Sequence, residues 1–454
     1  MPHVVWHRRI AMGVMATAML STAFAVACGP PLRPAIVETT PTPAKTPAPT
    51  AGGATGVELH GRLGSDRIVR VALSGNEPVA RVSATARWRI DEQGGRQLLV
   101  RGVGREDWRV EQRTGLLRVV GSGDDATPWR EGPFVLKPTS AEGMVQYQGR
   151  RFRGELWITA TDTGLLVVNR LPVEDYLRGV VPVELGTRLE SDRAAIEAQA
   201  IAARSYTYMR VPRDESVVSG RGFQLQSTVV NQVYGGADVE HPVYNDAIDA
   251  TAGLVLQYAG LLVDAPYSSS CGGRSSLPRD NWRDAREEPY LHVADDVNPA
   301  TGVPYCDLSP RNHWTAELDA AQLSEVVRRA LLAAGASNPS PSAVKSVRIG
   351  ERTSSGRVGT LTLSTDRGDV TVRPSDVRSV FRDVRGAILP STYFSVERES
   401  QSRGHLSTVA LRGAGNGHGV GMCQWGAIGR SRAGQDARTI LRHYYPGTVV
   451  GFAD

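Results

Sequence analysis

Two stretches of the chain concentrate side chains able to do chemistry. The first is Gly415-Asn416-Gly417-His418-Gly419-Val420-Gly421-Met422-Cys423-Gln424-Trp425-Gly426-Ala427, where five glycines surround a histidine, a thiol, a carboxamide and an indole. Glycine at that density disfavours long regular elements, because each one loses much backbone entropy on ordering, and it permits tight paths with positive φ. A flexible linker has no use for His418, Cys423, Gln424 and Trp425 together. His418 and Gln424 are therefore candidates for hydrogen bonds to a ligand, with Gly417 and Gly419 allowing its close approach. Tyr444 and Trp425 offer rings for stacking or for core packing. The alternative for the whole stretch is a glycine-rich surface turn, and for His418 and Gln424 a hydrogen-bonded loop scaffold.

The second stretch carries acids. Glu184 follows Gly179-Val180-Val181-Pro182-Val183, and Glu197 and Arg204 lie in a run of small apolar residues from Asp192 to Tyr208. Pro172 suits the start of a helix over Val173 to Val181. Pro182 is expected to end it, which leaves Glu184 and Gly186 in a turn. The run from Ser191 to about Met209 predicts a longer helix that is apolar nearly all round, hence buried. Glu197, Gln199 and Arg204 on such a helix need partners or a function, and Glu197 paired with Arg204 or with backbone is the expected solution. Glu174 and Asp175 read as solvated charges favouring the local helix dipole.

The elements that must position these residues fall into a few regions. His7-Arg8-Arg9 followed by an apolar run to Ala27 reads as a secretory signal peptide over 1–27. Ala25-Val26-Ala27-Cys28 fits a lipoprotein cleavage box, which makes Cys28 the expected lipid-bearing residue and the membrane an expected partner through that anchor. Residues 28–55 are rich in Pro, Thr and Ala and read as a tether. Short alternating runs in 56–147, such as Ile68-Val69-Arg70-Val71-Ala72, predict a small antiparallel β module. Residues 148–454 carry both chemical stretches. Mixed strands and short helices there make the expected class α+β.

Composition narrows the partners. The formal net charge is +5 over 454 residues, and nearly all the basic residues are arginine. That balance suits a polyanionic envelope and, with no RNP, zinc-finger or helix-turn-helix signature, argues against nucleic acid. Of the four cysteines, Cys28 is assigned to lipid and Cys271, Cys306 and Cys423 remain. An odd number leaves a disulfide plus a thiol, or a thiolate metal site, both open. Their wide separation in sequence lacks the short paired spacing of a typical zinc motif, so a Cys271–Cys306 disulfide is the first expectation and zinc the second.

Two long motifs then resemble one family. Leu171-Pro172-Val173-Glu174-Asp175-Tyr176-Leu177-Arg178-Gly179-Val180-Val181-Pro182-Val183-Glu184, followed by Glu197-Ala198-Gln199-Ala200-Ile201-Ala202-Ala203-Arg204-Ser205-Tyr206, resembles the SpoIID/LytB family. So does Gly417 to Ala427 together with His443-Tyr444-Tyr445-Pro446-Gly447. The resemblance spans roughly Gly149 to the C-terminus. It implies an exported peptidoglycan lytic transglycosylase in the cell envelope, acting on glycan strands stripped of peptides, with no required cofactor. Its implied fold carries a glycan-binding groove. The family's acid sits in a Glu-Met-Pro motif, and Glu184-Leu185-Gly186 stands at that place. Glu184 would then be general acid and base, with Gly417, Gly419, His418, Gln424, Arg204 and Tyr444 around the substrate. The alternative implied by the same family is a non-catalytic wall-binding protein that enhances an amidase.

Overall fold

The computed structural model describes residues 67–453, apart from 96, 124, 215–219 and 384. The expected signal peptide, Cys28 and the tether lie outside the described residues. Among the described residues, no helix is long and apolar enough to cross a membrane.

The N-terminal strands form two sheets rather than a separate module. One sheet has seven strands in the order Leu225–Gln226, Ile68–Glu77, Gly164–Pro172, Glu155–Thr161, Phe134–Pro138, Trp88–Glu92 and Leu98–Gly102. Strands from either side of the expected boundary at 147–148 are therefore mixed within it. Val69 pairs with Leu171 and Val71 with Asn169 across its centre. The boundary is also crossed in the second sheet, where Val145–Tyr147 pairs with Arg150–Phe152. Val69, Val71, Leu165, Val167 and Leu171 are fully or almost fully buried in a core that continues to Tyr445. Long-range burial of alternate side chains ties the two regions into one unit, which local alternation alone could not reveal.

Three helices follow the sheet strands. Helix α1 (Val173–Leu185) starts right after Pro172, α2 (Arg193–Tyr208) runs through the core, and α3 (Pro242–Ala250) begins with a proline in its first turn. The helix α1 corrects the expectation that Pro182 stops it. Val173, Tyr176, Leu177, Val180, Val181 and Leu185 form one buried stripe, and Pro182 lies inside the helix. Packing along that stripe outweighs the roughly 3 kcal/mol a proline costs in a helix interior. The helix ends instead at Gly186, whose φ of +69° is open to glycine and whose N–H donates to the Pro182 carbonyl at 2.9 Å.

Between the two motifs lies a second core. The three-stranded sheets His313–Asp319, His405–Ala414, Phe394–Ser402 and Val344–Ile349, Leu361–Thr365, Gly368–Val372 enclose it together with α4 (Ala320–Ala333) and α5 (Pro374–Val380). Its members run from Leu318 to Leu411. This unit is an addition to the single domain expected over 148–454. The chain then returns to the first core through α6 (Gln424–Arg432) and α7 (Ala437–Tyr444).

Candidate active site

Glu184 sits on the last turn of α1, at the edge of the first core, and is half-buried. Two donors hold its carboxyl group. Gln424 Nε2, on the first residue of α6, donates to Oε2 at 3.1 Å, and the Val233 N–H approaches Oε1 at 3.4 Å. Burial raises the acid from its ordinary value of 4.5 to about 7, against the opposing pull of Gln424 and then Val233. Removing water from around a carboxyl group disfavours its charged form, and here two neutral hydrogen bonds only partly restore it.

Val233 is positioned by the residue before it. Gln232 is fully buried, with Oε1 accepting from Tyr176 at 3.1 Å and from Thr207 at 3.0 Å, while Nε2 donates to Tyr267 at 2.8 Å. These bonds join α1, α2 and the Tyr267 strand around one side chain, so the Val233 N–H is aimed by a satisfied buried network. The rim beside Glu184 is partly apolar: Val183, Leu189, Val229 and Val230 are exposed on the segments flanking Glu184 and Val233. The Arg188 guanidinium lies 4.6 Å over the ring of the half-buried Trp425, giving a stacked cation and indole next to Gln424.

The glycine-rich loop does not line a groove. Residues Gly415 to Gln424 are buried throughout, and His418 is only 3% exposed. His418 Nδ1 accepts the Val420 N–H at 3.0 Å, and burial followed by the Arg378 charge lowers its pKa to about 3. It is a neutral ring packed 5.1 Å from Trp282. Gly417 has φ of +112°, and a Cβ there would come within 2.7 Å of the Ser268 Cβ. The Gly419 N–H donates to Ser268 Oγ at 3.1 Å. These glycines let the loop pass close to neighbouring backbone, so the expected contacts of Gly417, Gly419 and His418 with substrate give way to a scaffold role. Gln424 alone of the loop reaches the acid.

Arg204 and Tyr444 are corrected likewise. Arg204 has no exposed surface; its Nε and Nη2 clasp Glu174 at 2.8 and 2.7 Å, and Nη1 donates to the Leu254 carbonyl at 3.0 Å. Glu174 is thus the partner of Arg204, and Glu197 pairs with Arg193 at 2.9 Å one turn away. Tyr444 is buried, with its hydroxyl donating to Asp296 Oδ1 at 2.9 Å. Neither side chain offers surface to a polymer.

Cys271, Cys306 and Cys423 converge, although they are remote in sequence. All three are buried free thiols, so the expected Cys271–Cys306 disulfide is not formed; those two sulfurs stand 3.8 Å apart. Asp296 joins them, a residue that sequence reasoning passed over because Ala294-Asp295-Asp296 lies in irregular chain without periodicity. Gln232 and Val233 were also missed as site residues, since nothing local in Gln232-Val233-Tyr234 marks a backbone donor.

An α+β protein that holds one uncharged-neighboured acid at a helix end, with a stacked rim beside it, is the class the geometry defines. Residues 161–258 match the family described as Stage II sporulation protein, and residues 306–421 match one described as a domain of unknown function, which coincides with the second core. The chain is 28% identical over 302 residues to an uncharacterized protein of Brachyspira hyodysenteriae, covering 66% of this chain and 73% of that protein. It is 29% identical over 308 residues to the amidase enhancer of Bacillus subtilis, covering 60% of this chain and 40% of that protein. To stage II sporulation protein D of Bacillus subtilis it is 27% identical over 298 residues, covering 63% and 76%. Over these stretches the chain is similar to the SpoIID/LytB family.

Proposed function

We propose that the protein is an envelope enzyme that cleaves peptidoglycan glycan strands as a lytic transglycosylase, with Glu184 as its single acid and base. The observation that carries this reading is the Glu184 carboxyl group, half-buried, free of charge partners among the causes of its shift, and raised to about 7. A group poised near neutrality can give and take a proton in one cycle. Protonated Glu184 donates to the glycosidic oxygen as the bond from the anomeric carbon breaks. The resulting carboxylate removes the proton from the sugar's own 6-hydroxyl, whose oxygen bonds to the anomeric carbon. The proton count closes on the enzyme, no water is consumed, and an anhydro sugar end results. A second carboxylate, needed where water must be activated, has no task in this sequence of steps. Gln424 and the Val233 N–H steady the carboxylate that forms midway, and Arg188 on Trp425 supplies a platform for a sugar ring.

The resemblance to an amidase enhancer favours a second reading, in which the same rim holds glycan for a partner amidase. Envelope localisation, through a signal peptide and lipid on Cys28, is common to both. Amidase-treated glycan strands are digested with the protein and with Glu184→Gln, and anhydro-muramic ends are counted by mass spectrometry. The enzyme reading expects such ends from the parent only. Equal yields overturn the role of Glu184; no product from either, with retained glycan binding and faster turnover by an added amidase, selects the second reading.

A further inference from the structure

Four groups meet in the core where the two motifs and the inserted unit come together. Cys271 follows the Tyr267–Ser268 strand, Asp296 and Cys306 lie on the intervening loop and its 3-10 turn, and Cys423 precedes α6. The sulfurs and a carboxylate oxygen all lie within 4.8 Å of one another. None of the four is more than 1% exposed.

Two of their separations match those of donors on one tetrahedral ion. With zinc–sulfur bonds of about 2.3 Å, two thiolates on one ion stand about 3.8 Å apart, and a thiolate and a carboxylate oxygen about 3.5 Å. The Cys271 and Cys306 sulfurs are 3.8 Å apart, and Cys271 Sγ is 3.4 Å from Asp296 Oδ2. The surroundings orient each donor as ligands are oriented. Asp296 turns Oδ2 toward the sulfurs because Oδ1 accepts from Arg430 Nε and from the Tyr444 hydroxyl, both at 2.9 Å. Cys423 Sγ accepts the N–H groups of Cys271 at 3.1 Å and Gly426 at 3.3 Å. The glycine at 426 is required here, since a Cβ would come within 2.9 Å of the Asp296 carboxyl carbon.

Charge closes as well. Three thiolates and one carboxylate carry four negative charges, of which a divalent cation balances two. The buried guanidinium of Arg430, bound to Asp296, and that of Arg357, bound to the Cys271 carbonyl at 2.7 Å, supply the other two.

We propose that Cys271, Asp296, Cys306 and Cys423 bind one structural zinc ion. The site is closed on all sides, so the ion staples the fold and activates no water. Cys423 directly precedes Gln424, so the ion fixes the first turn of α6 and with it the donor that holds Glu184, a consequence that rests on the catalytic reading above.

The full chain, purified without chelator or reductant from zinc-supplemented culture, is assayed for metal by mass spectrometry and for free thiols by alkylation and peptide mapping. The expected result is about one zinc per chain, with the three cysteines unoxidised and protected from alkylation until a chelator is added in denaturant. Exchange into cobalt should give sulfur-to-cobalt charge-transfer bands and the visible spectrum of a tetrahedral ion. Asp296→Asn should weaken metal binding by about tenfold or more. A metal-free parent that folds normally, or a Cys271–Cys306 disulfide in the mapped peptides, overturns the proposal. Metal content is read independently of turnover, so loss of glycan cleavage with zinc retained would count against Glu184 and not against the ion.

Discussion

Glu174 and Glu184 occupy opposite ends of α1 and meet opposite fates. At the first turn, Glu174 is gripped by the Arg204 guanidinium through two bonds of 2.8 and 2.7 Å. At the last turn, Glu184 meets an amide nitrogen and a backbone N–H, and no cation contributes to its shift. Both carboxyl groups are partly withdrawn from water, yet only one is neutralised by a fixed positive charge. The difference separates a carboxyl group tied into a structural ion pair from an acid that can exchange its proton near neutral pH. Glu197 on α2 also has a cation, Arg193, at 2.9 Å, although burial outweighs it and raises the Glu197 pKa.

The sharpest test of this contrast is chemical. Glu184→Gln should lower the rate of anhydro-end formation by about 10³-fold, measured on amidase-treated glycan, while leaving glycan binding intact. Glu174→Gln should act on stability instead.

Arg204→Ala attacks the other end of α1. It strips the fixed charge from Glu174 and leaves the Leu254 carbonyl without its donor. A loss of about 3–5 kcal/mol is expected from urea unfolding monitored by circular dichroism.

A third test uses pH and stability. Below the ordinary value of 4.5, Glu184 is protonated in the folded and the unfolded chain alike. As pH rises toward about 7, the unfolded chain releases that proton while the folded one retains it, so stability falls, and the loss is complete above the folded value. A shift from 4.5 to about 7, at about 1.4 kcal/mol per unit, amounts to about 3 kcal/mol. Glu184→Gln should therefore gain up to about 3 kcal/mol over the parent at pH 8 compared with pH 4, in paired urea titrations.

The smallest effect belongs to Gln424→Leu. Removing the Nε2 donor takes away a bond that favours the ionised form, so the Glu184 pKa should rise by about one unit. Because the protonated acid enters the reaction, glycan cleavage declines above that pKa, and the declining limb of the pH–rate profile should move up with it. An unmoved limb would mean that Gln424 does not hold the acid.

Local sequence pattern marks Glu184 as a candidate acid but not its setting. The buried apolar run Ala194 to Tyr208 was legible because alanines on every face leave a helix no exposed side. Glu184 was legible through motif resemblance. Its place on α1 was not, since Pro182 is a local stop signal and the stripe that overrides it, Val173 to Leu185, acts through tertiary packing. The glycine-rich loop misled for a related reason. Glycine density marks close backbone approach, but whether ligand or protein does the approaching depends on neighbours such as Ser268 and Arg357.

The sequence by itself therefore determined the family resemblance, the α+β class, the candidate acid and the buried helix behind it, because these rest on local pattern and residue type. Only the tertiary structure decided which polar residues touch that acid, which are tied down in the core, and that three distant cysteines and Asp296 share one site. Those outcomes depend on contacts between segments far apart in the chain: 240 residues separate Glu184 from Gln424, and 152 separate Cys271 from Cys423. No local periodicity carries that information, since hydrogen bonds and desolvation are set by what folding brings alongside.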